Sequence, residues 1–304
     1  MQVLMDHDGG IDDFLALLLL LTMESVELLG VVITPADCYA QPAVSVTRKI
    51  LNLWGKGTVP VAESKVRGVN PFPMQYRRDC FIVDHLPILN ESEQIRTPLV
   101  AETGQTFMAQ TLKQATQPVT LMVTGPLTTV AAAIAIAPEI VAKIERIVWM
   151  GGALTVPGNV SSEVELGQDG TAEWNAYWDP FAVEFIWQTE IPLVMCPLDL
   201  TNHVPVTSEF LQRIARQHRY PRSDLAGQCY ALAIPQDYYC WDVLATAYLG
   251  CAELYQLKCC ETVAIATGPS QGRIHLQTGG RPVQVMQAVQ VNDFYAYILR
   301  QWSA

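Results

Sequence analysis

The chain has 304 residues, half of them hydrophobic, and 30 acidic against 19 basic side chains give it a formal net charge of -11. That length and apolar content suffice for a large buried core. The acidic balance argues against a nucleic-acid partner, because contacts to a phosphate backbone depend on clustered Lys and Arg.

From the amino terminus, Val3 to Met5 reads as a strand and Ile11 to Met23 as a helix. The apolar run Phe14 to Met23 is too short for a bilayer, which takes roughly 20 apolar residues. Asp13 and Glu24 flank it and no basic segment precedes it, so neither a membrane span nor a secretory signal is expected. Further strands are expected at Leu28 to Ile33, Val119 to Val123, Ile147 to Met150 and Pro192 to Cys196. Helical patterns fall at Ala43 to Trp54, Thr103 to Ala115, Leu127 to Ala135 and Pro180 to Gln188. Strands apolar on both faces and separated by helices predict an α/β fold, an open and mostly parallel sheet with a Rossmann-type core and helices on both faces. One domain over residues 1–304 is expected.

Val66 to Thr97 and Pro157 to Ala172 lack periodicity and are expected to be long loops of the kind that form lids or binding loops. After Thr201 the pattern is mostly helical, with strands expected at Thr262 to Ala266 and Val283 to Val291. Eight cysteines include no CxxC pair, and they read as reduced, buried thiols of a cytoplasmic protein.

The chemistry concentrates at the start, in MQVLMDHDGGIDDFLALLLLL. A strand ending at Met5 aims Asp6 and Asp8 at the crevice outside the carboxyl ends of the sheet. Gly9-Gly10 turn the chain and Asp12-Asp13 open the next helix. Carboxylates so close raise one another's pKa unless a cation sits among them, and oxygen donors suit calcium or magnesium. Asp12 and Asp13 alone would be ordinary first-turn residues of a helix.

DHDGGIDDFLAL resembles the amino-terminal signature of the nucleoside hydrolase family, the inosine-uridine-preferring nucleoside N-ribohydrolases. LMVTGPLTTVAAAI, IVWMGGA, PGN, AEWNAYWDP, PLDLT and WDVLATAYL follow in family order across most of the chain. The resemblance implies one Ca2+ ion held by Asp8, Asp13, the Thr124 carbonyl and Asp242. Asp8 would also take the proton of the attacking water. It further implies a ribonucleoside substrate, with Asp12 on a ribose hydroxyl, Asn159 and Glu173 on the 5′-hydroxyl, Asn175 on the 3′-hydroxyl and Met150 under the sugar. Asp6 would support the cluster from behind. A homodimer or homotetramer is the assembly it implies.

The sequence departs from that pattern in four places. His7-Asp8-Gly9 stands for the usual Thr-Asp-Pro, and Asp37 lies where an Asn bonds the ribose. The loop before Glu173 is longer and more acidic. Trp241 replaces the histidine that helps protonate the departing base. An indole cannot do so near neutral pH, although it can stack on a base or simply pack. His85 and Tyr238 are the candidates to compensate, with ordinary loop and core roles as their alternatives. Two competing functions follow. A homologue with altered specificity or without catalysis would keep the fold, and a magnesium-dependent phosphatase would share only the Asp6-x-Asp8 start.

Overall fold

A computed structural model describes residues 1–92, 94–233 and 237–304. The first half of the chain runs β1 (Gln2–His7), α1 (Ile11–Leu20), β2 (Glu27–Ile33), α2 (Ala40–Leu53), β3 (Val61–Glu63), α3 (Met74–Arg77), α4 (Asp79–Asp84), α5 (Gly104–Gln114), β4 (Val119–Val123), α6 (Thr128–Ile136) and β5 (Ile144–Met150). The second half adds α7 (Trp174–Trp178), α8 (Pro180–Trp187), β6 (Leu193–Cys196), α9 (Leu198–Thr201), α10 (Ser208–Ala215), α11 (Pro221–Ala233), α12 (Trp241–Ala247), β7 (Tyr255–Ala264), β8 (Ile274–Leu276), β9 (Arg281–Val289) and α13 (Val291–Trp302).

The strands form one sheet in the order β3-β2-β1-β4-β5-β6-β9-β7-β8. Pairing is parallel from β3 to β9, while β7 runs antiparallel to both β9 and β8. The mostly parallel α/β sheet expected from the sequence is therefore present, with an antiparallel edge. Two apolar cores lie on its opposite faces. One gathers α1, α2, α11, α12 and α13, and the other gathers α5, α6 and α8.

The apolar opening run is explained by α1, which is buried at every position from Ile11 to Leu20. Packed between the sheet and α11, α12 and α13, it has no solvent face to make polar. It stops at Leu20, short of the expected Met23, and Thr22 folds its hydroxyl back onto the Leu19 carbonyl.

Other boundaries differ for local reasons. Val66 to Thr97 carries α3, α4 and a 3-10 turn at Pro87–Asn90, pieces too short to show a 3.6-residue period. β3, with three residues, is too short to show a strand pattern in the sequence. β7 starts at Tyr255, earlier than expected, because its first residues alternate polar and apolar as an outer strand does. Val291 opens α13 instead of closing β9. Among the described residues no helix is long and apolar enough to cross a membrane.

Candidate active site

The ends of the parallel strands deliver the aspartates to one cleft of about 330 Å³. Asp8 follows β1, Asp37 follows β2, Thr124 follows β4, Met150 ends β5, and Asp242 enters from α12; all five line the cleft. This is the crevice at the carboxyl edge where open α/β sheets bind ligands. The turn that redirects the chain needs Gly9, whose φ is 81°. A Cβ there would also meet the Cys38 Cβ at 2.7 Å.

Within the cleft the carboxyls crowd one another. Asp13 accepts hydrogen bonds from the Gly10 N–H at 2.8 Å and the Thr124 hydroxyl at 2.5 Å. The Asp37 N–H points at the Asp8 carboxylate, 3.3 Å away. Burial pushes the Asp8 carboxyl well above the usual carboxylate range, and the charges of Asp13 and Asp37 push it further. Burial raises Asp242 in the same way, with Asp13, Asp12 and Asp8 adding to it. Asp13 is pushed up to about 6, mainly by burial. Asp242 Oδ1 and Asp37 Oδ1 are buried without a hydrogen-bond partner. Acceptor oxygens left bare in a concentration of negative charge fit a hard divalent cation, which would supply both partner and counter-charge. Among the described residues, no three His, Cys, Asp or Glu side chains are already drawn into a closed ligand cage. Asp13, for one, has its oxygens engaged by Gly10 and Thr124.

Asp12 has a different environment. Its Oδ1 accepts from the Tyr230 hydroxyl at 2.7 Å, and its Oδ2 accepts the N–H groups of Asp242 and Val243 at 2.6 and 3.0 Å. It lines the cleft and also caps the first turn of α12, a helix distant in sequence. Asp6 lies behind the cluster, accepting from Thr34, which is linked in turn to Thr129 and Ser64.

The residues expected on the sugar converge as well. Met150, Asn159, Glu173 and Asn175 all line the cleft. Asn175 donates to the carbonyls of Thr124 at 3.0 Å and Met150 at 3.1 Å. Glu173 caps α7, accepting the N–H groups of Asn175 and Ala176, and also accepts that of Gly152. Asn159 accepts the Trp174 N–H through Oδ1, leaving its amide group free at the cleft mouth.

Two aromatic walls enclose the outer half. Tyr238, Tyr239 and Trp241 form one, with Trp241 centred 4.7 Å from Tyr238 and 5.6 Å from Tyr239. The segment is pinned by Val206 N–H to the Tyr238 carbonyl and Cys240 N–H to the Val204 carbonyl. Phe72, Tyr76 and Trp174 form the other, Phe72 lying 6.5 Å from Tyr76 and 5.2 Å from Trp174. Phe72, Tyr76, Asp79 and Trp174 were not singled out from the sequence; Asn70-Pro71-Phe72-Pro73 marked the excursion without showing which side chains turn inward. The structure does not bring His85 to the cleft. It is exposed at the C-terminal end of α4, where its Nδ1 lies 2.7 Å from the Phe81 carbonyl.

Residues 3–296 match the family described as inosine-uridine preferring nucleoside hydrolase. The chain belongs to that family. A pyrimidine-specific ribonucleoside hydrolase, RihA, of Shewanella baltica is 33% identical over 221 residues, 70% of this chain and 64% of the relative's own length. The match thus spans just under two thirds of that relative. The crystal structure of an inosine-uridine preferring nucleoside hydrolase from Bacillus anthracis is 45% identical, with a TM-score of 0.96 and 99% of both chains covered. A purine-preferring ribonucleoside hydrolase from Gardnerella vaginalis, 23% identical with a TM-score of 0.81, shares the fold over 100% of this chain and 98% of its own. Membership and fold agree with what DHDGGIDDFLAL and the later blocks implied, and those blocks are the segments that meet at the cleft.

Proposed function

We propose that this cleft binds a ribonucleoside and hydrolyses its N-glycosidic bond to ribose and free base, with calcium as the cofactor. The observation that carries the reading is the meeting of Asp8, Asp13, Thr124 and Asp242, from three distant parts of the chain, directly inside two aromatic walls. Asp8, Asp13, Asp242 and the Thr124 carbonyl would hold the ion, which supplies Lewis-acid activation of water and an anchor for sugar hydroxyls. The bare Oδ1 of Asp242 supports that fit.

Asp8 takes the proton of the water that attacks the anomeric carbon, a role suited to a carboxylate held at the floor of the cleft. As the bond breaks, positive charge grows on the sugar, and the surrounding carboxylates and carbonyls stabilise it more than they stabilise the ground state. Asn159, Asn175 and Asp37 orient ribose hydroxyls, Met150 packs beneath the ring, and Trp241 stacks on the base. Asp12, which lines the cleft, would accept from a ribose hydroxyl while it caps α12.

A second reading is a homologue that binds nucleosides without efficient catalysis. It is favoured by one observation: no histidine lines the cleft among the described residues. Incubation of the purified protein with inosine, uridine, adenosine and cytidine, with calcium or with a chelator, decides between them. Calcium-dependent release of free ribose is expected; saturable binding without ribose from any of the four supports the second reading. All eight cysteines are unpaired and seven are buried, which supports a cytoplasmic setting. Assembly as a homodimer or homotetramer is checked by light scattering.

A further inference from the structure

Resting on this reading of the cleft, one chemical need is unmet: the departing base must be protonated, and Trp241 cannot do it. His85 is exposed and turned onto its own helix. Beyond the carboxylates around the cation site, the cleft holds three more, Asp79, Glu173 and Asp237, and Glu173 is taken up by the N–H groups of Asn175, Ala176 and Gly152. Asp237 is exposed.

Asp79 opens α4 immediately after Arg78, whose φ of -77° and ψ of -18° carry the helical path across from α3. Tyr76 and Asp79, three residues apart on that path, share a face, and both line the cleft. Tyr76 belongs to the aromatic wall. On the other side, the charge of Asp79 acts on Asp37, raising its carboxyl behind the larger effects of burial and Asp13. The Asp37 N–H in turn points at Asp8. Asp79 therefore shares the cleft with the aromatic wall proposed for the base and with the carboxylates proposed for the sugar. Arg78 is exposed and Arg77 is directed to the Cys38 carbonyl, so neither forms an ion pair with Asp79 among the described residues.

We propose that Asp79 is the catalytic acid of this enzyme, donating its carboxyl proton to a ring atom of the departing base. The C1′–N bond breaks with its electron pair moving into the base, and the proton from Asp79 neutralises the charge that arrives there. The attacking water forms the new C1′–O bond and gives its proton to Asp8. Asp79 regains a proton from solvent at the open side of the cleft and Asp8 releases one, so nucleoside and water become ribose and base. Half-burial raises the Asp79 carboxyl above its ordinary range, outweighing the opposing pull of the Arg78 charge, and this moves it toward the protonated form that donation needs.

The test compares substrates that do and do not need the proton. Asp79→Asn is assayed on inosine and uridine and on 4-nitrophenyl β-D-ribofuranoside, whose phenolate leaves unaided. General acid catalysis is worth about 10²–10⁴-fold, so kcat on the nucleosides falls at least about 100-fold. On the nitrophenyl riboside it stays within about threefold. Equal losses on both, or no loss on nucleosides, overturn the proposal. If Asp79→Asn fails to fold by circular dichroism, Asp79→Glu replaces it; a selective loss on nucleosides supports the acid and equal effects overturn it. A wild type that releases neither ribose nor nitrophenol overturns the parent reading together with this one. A wild type active on both and matched by Asp79→Asn overturns this inference alone.

Discussion

Asp8 sits where removal of one charge separates chemistry from stability. It is 3% exposed, and its ionised form is disfavoured by burial and by Asp13 and Asp37. Asp8→Asn keeps the shape while deleting a like charge. Turnover should fall about 10²–10⁴-fold, the usual worth of a general base. The cation-free unfolding midpoint should hold or rise; near wild-type turnover would remove Asp8 from the mechanism. His7 makes the opposite case. It is wholly buried, with Nε2 3.0 Å from Thr47 Oγ1 and its ring packed edge-on to Phe14. Burial lowers its pKa from 6.5 to about 3. The unfolded chain then binds a proton that the folded chain refuses. The contribution is fully present above pH 6.5 and is lost as pH falls toward 3. Urea denaturation from pH 7 to 4 should show a wild-type decline steeper than that of His7→Gln by up to about 1.4 kcal/mol per pH unit. Parallel profiles would mean that His7 does not carry this acid sensitivity.

At the scale of elements, α12 and the start of α1 are joined by Asp12 and Tyr230, and this joint sets where Asp242 enters the cleft. Tyr230→Phe leaves Asp12 its two amide donors and removes the hydroxyl, a buried bond to a charged group worth about 1.5–3 kcal/mol. Denaturation should show that loss. Calorimetry should show calcium affinity weakened severalfold as α12 loosens, and an unchanged affinity would make the joint purely structural. This link explains what could and could not be read in advance. The strand, Gly-Gly turn and helix start of MQVLMDHDGGIDDF are local, so the position of Asp8 and Asp13 followed from a few neighbouring residues. Asp12 capping α12 is a contact between residues far apart in sequence, and no periodicity announces it. Likewise Tyr76 and Asp79 lie on helices of four and six residues. Such pieces give too little repeat to show which side faces the cleft.

At the scale of the molecule, the parallel order of the sheet was legible because buried strands are apolar on both faces, whereas the antiparallel edge through β7 and β8 carries mixed, exposed residues. That architecture concentrates negative charge at one edge of a chain already at -11. Asp8, Asp13, Asp37 and Asp242 are all buried enough for their ionised forms to be disfavoured. A cation bound there should therefore stabilise the folded state well beyond its effect as dissolved salt. At 100 times its dissociation constant, a ligand specific for the folded protein adds about 2.7 kcal/mol. For a chain of this length that raises the melting midpoint by roughly 5 °C. Calorimetric scans should show this rise with calcium, its reversal by a chelator, and no comparable rise with sodium chloride at equal ionic strength, which only screens. Magnesium should do less, because it demands stricter octahedral geometry and gives up its waters reluctantly. Asp242→Asn should abolish the calcium-specific part, since it removes one of the charges that the ion offsets. An equal rise in that variant would place the stabilising ion elsewhere on the acidic surface.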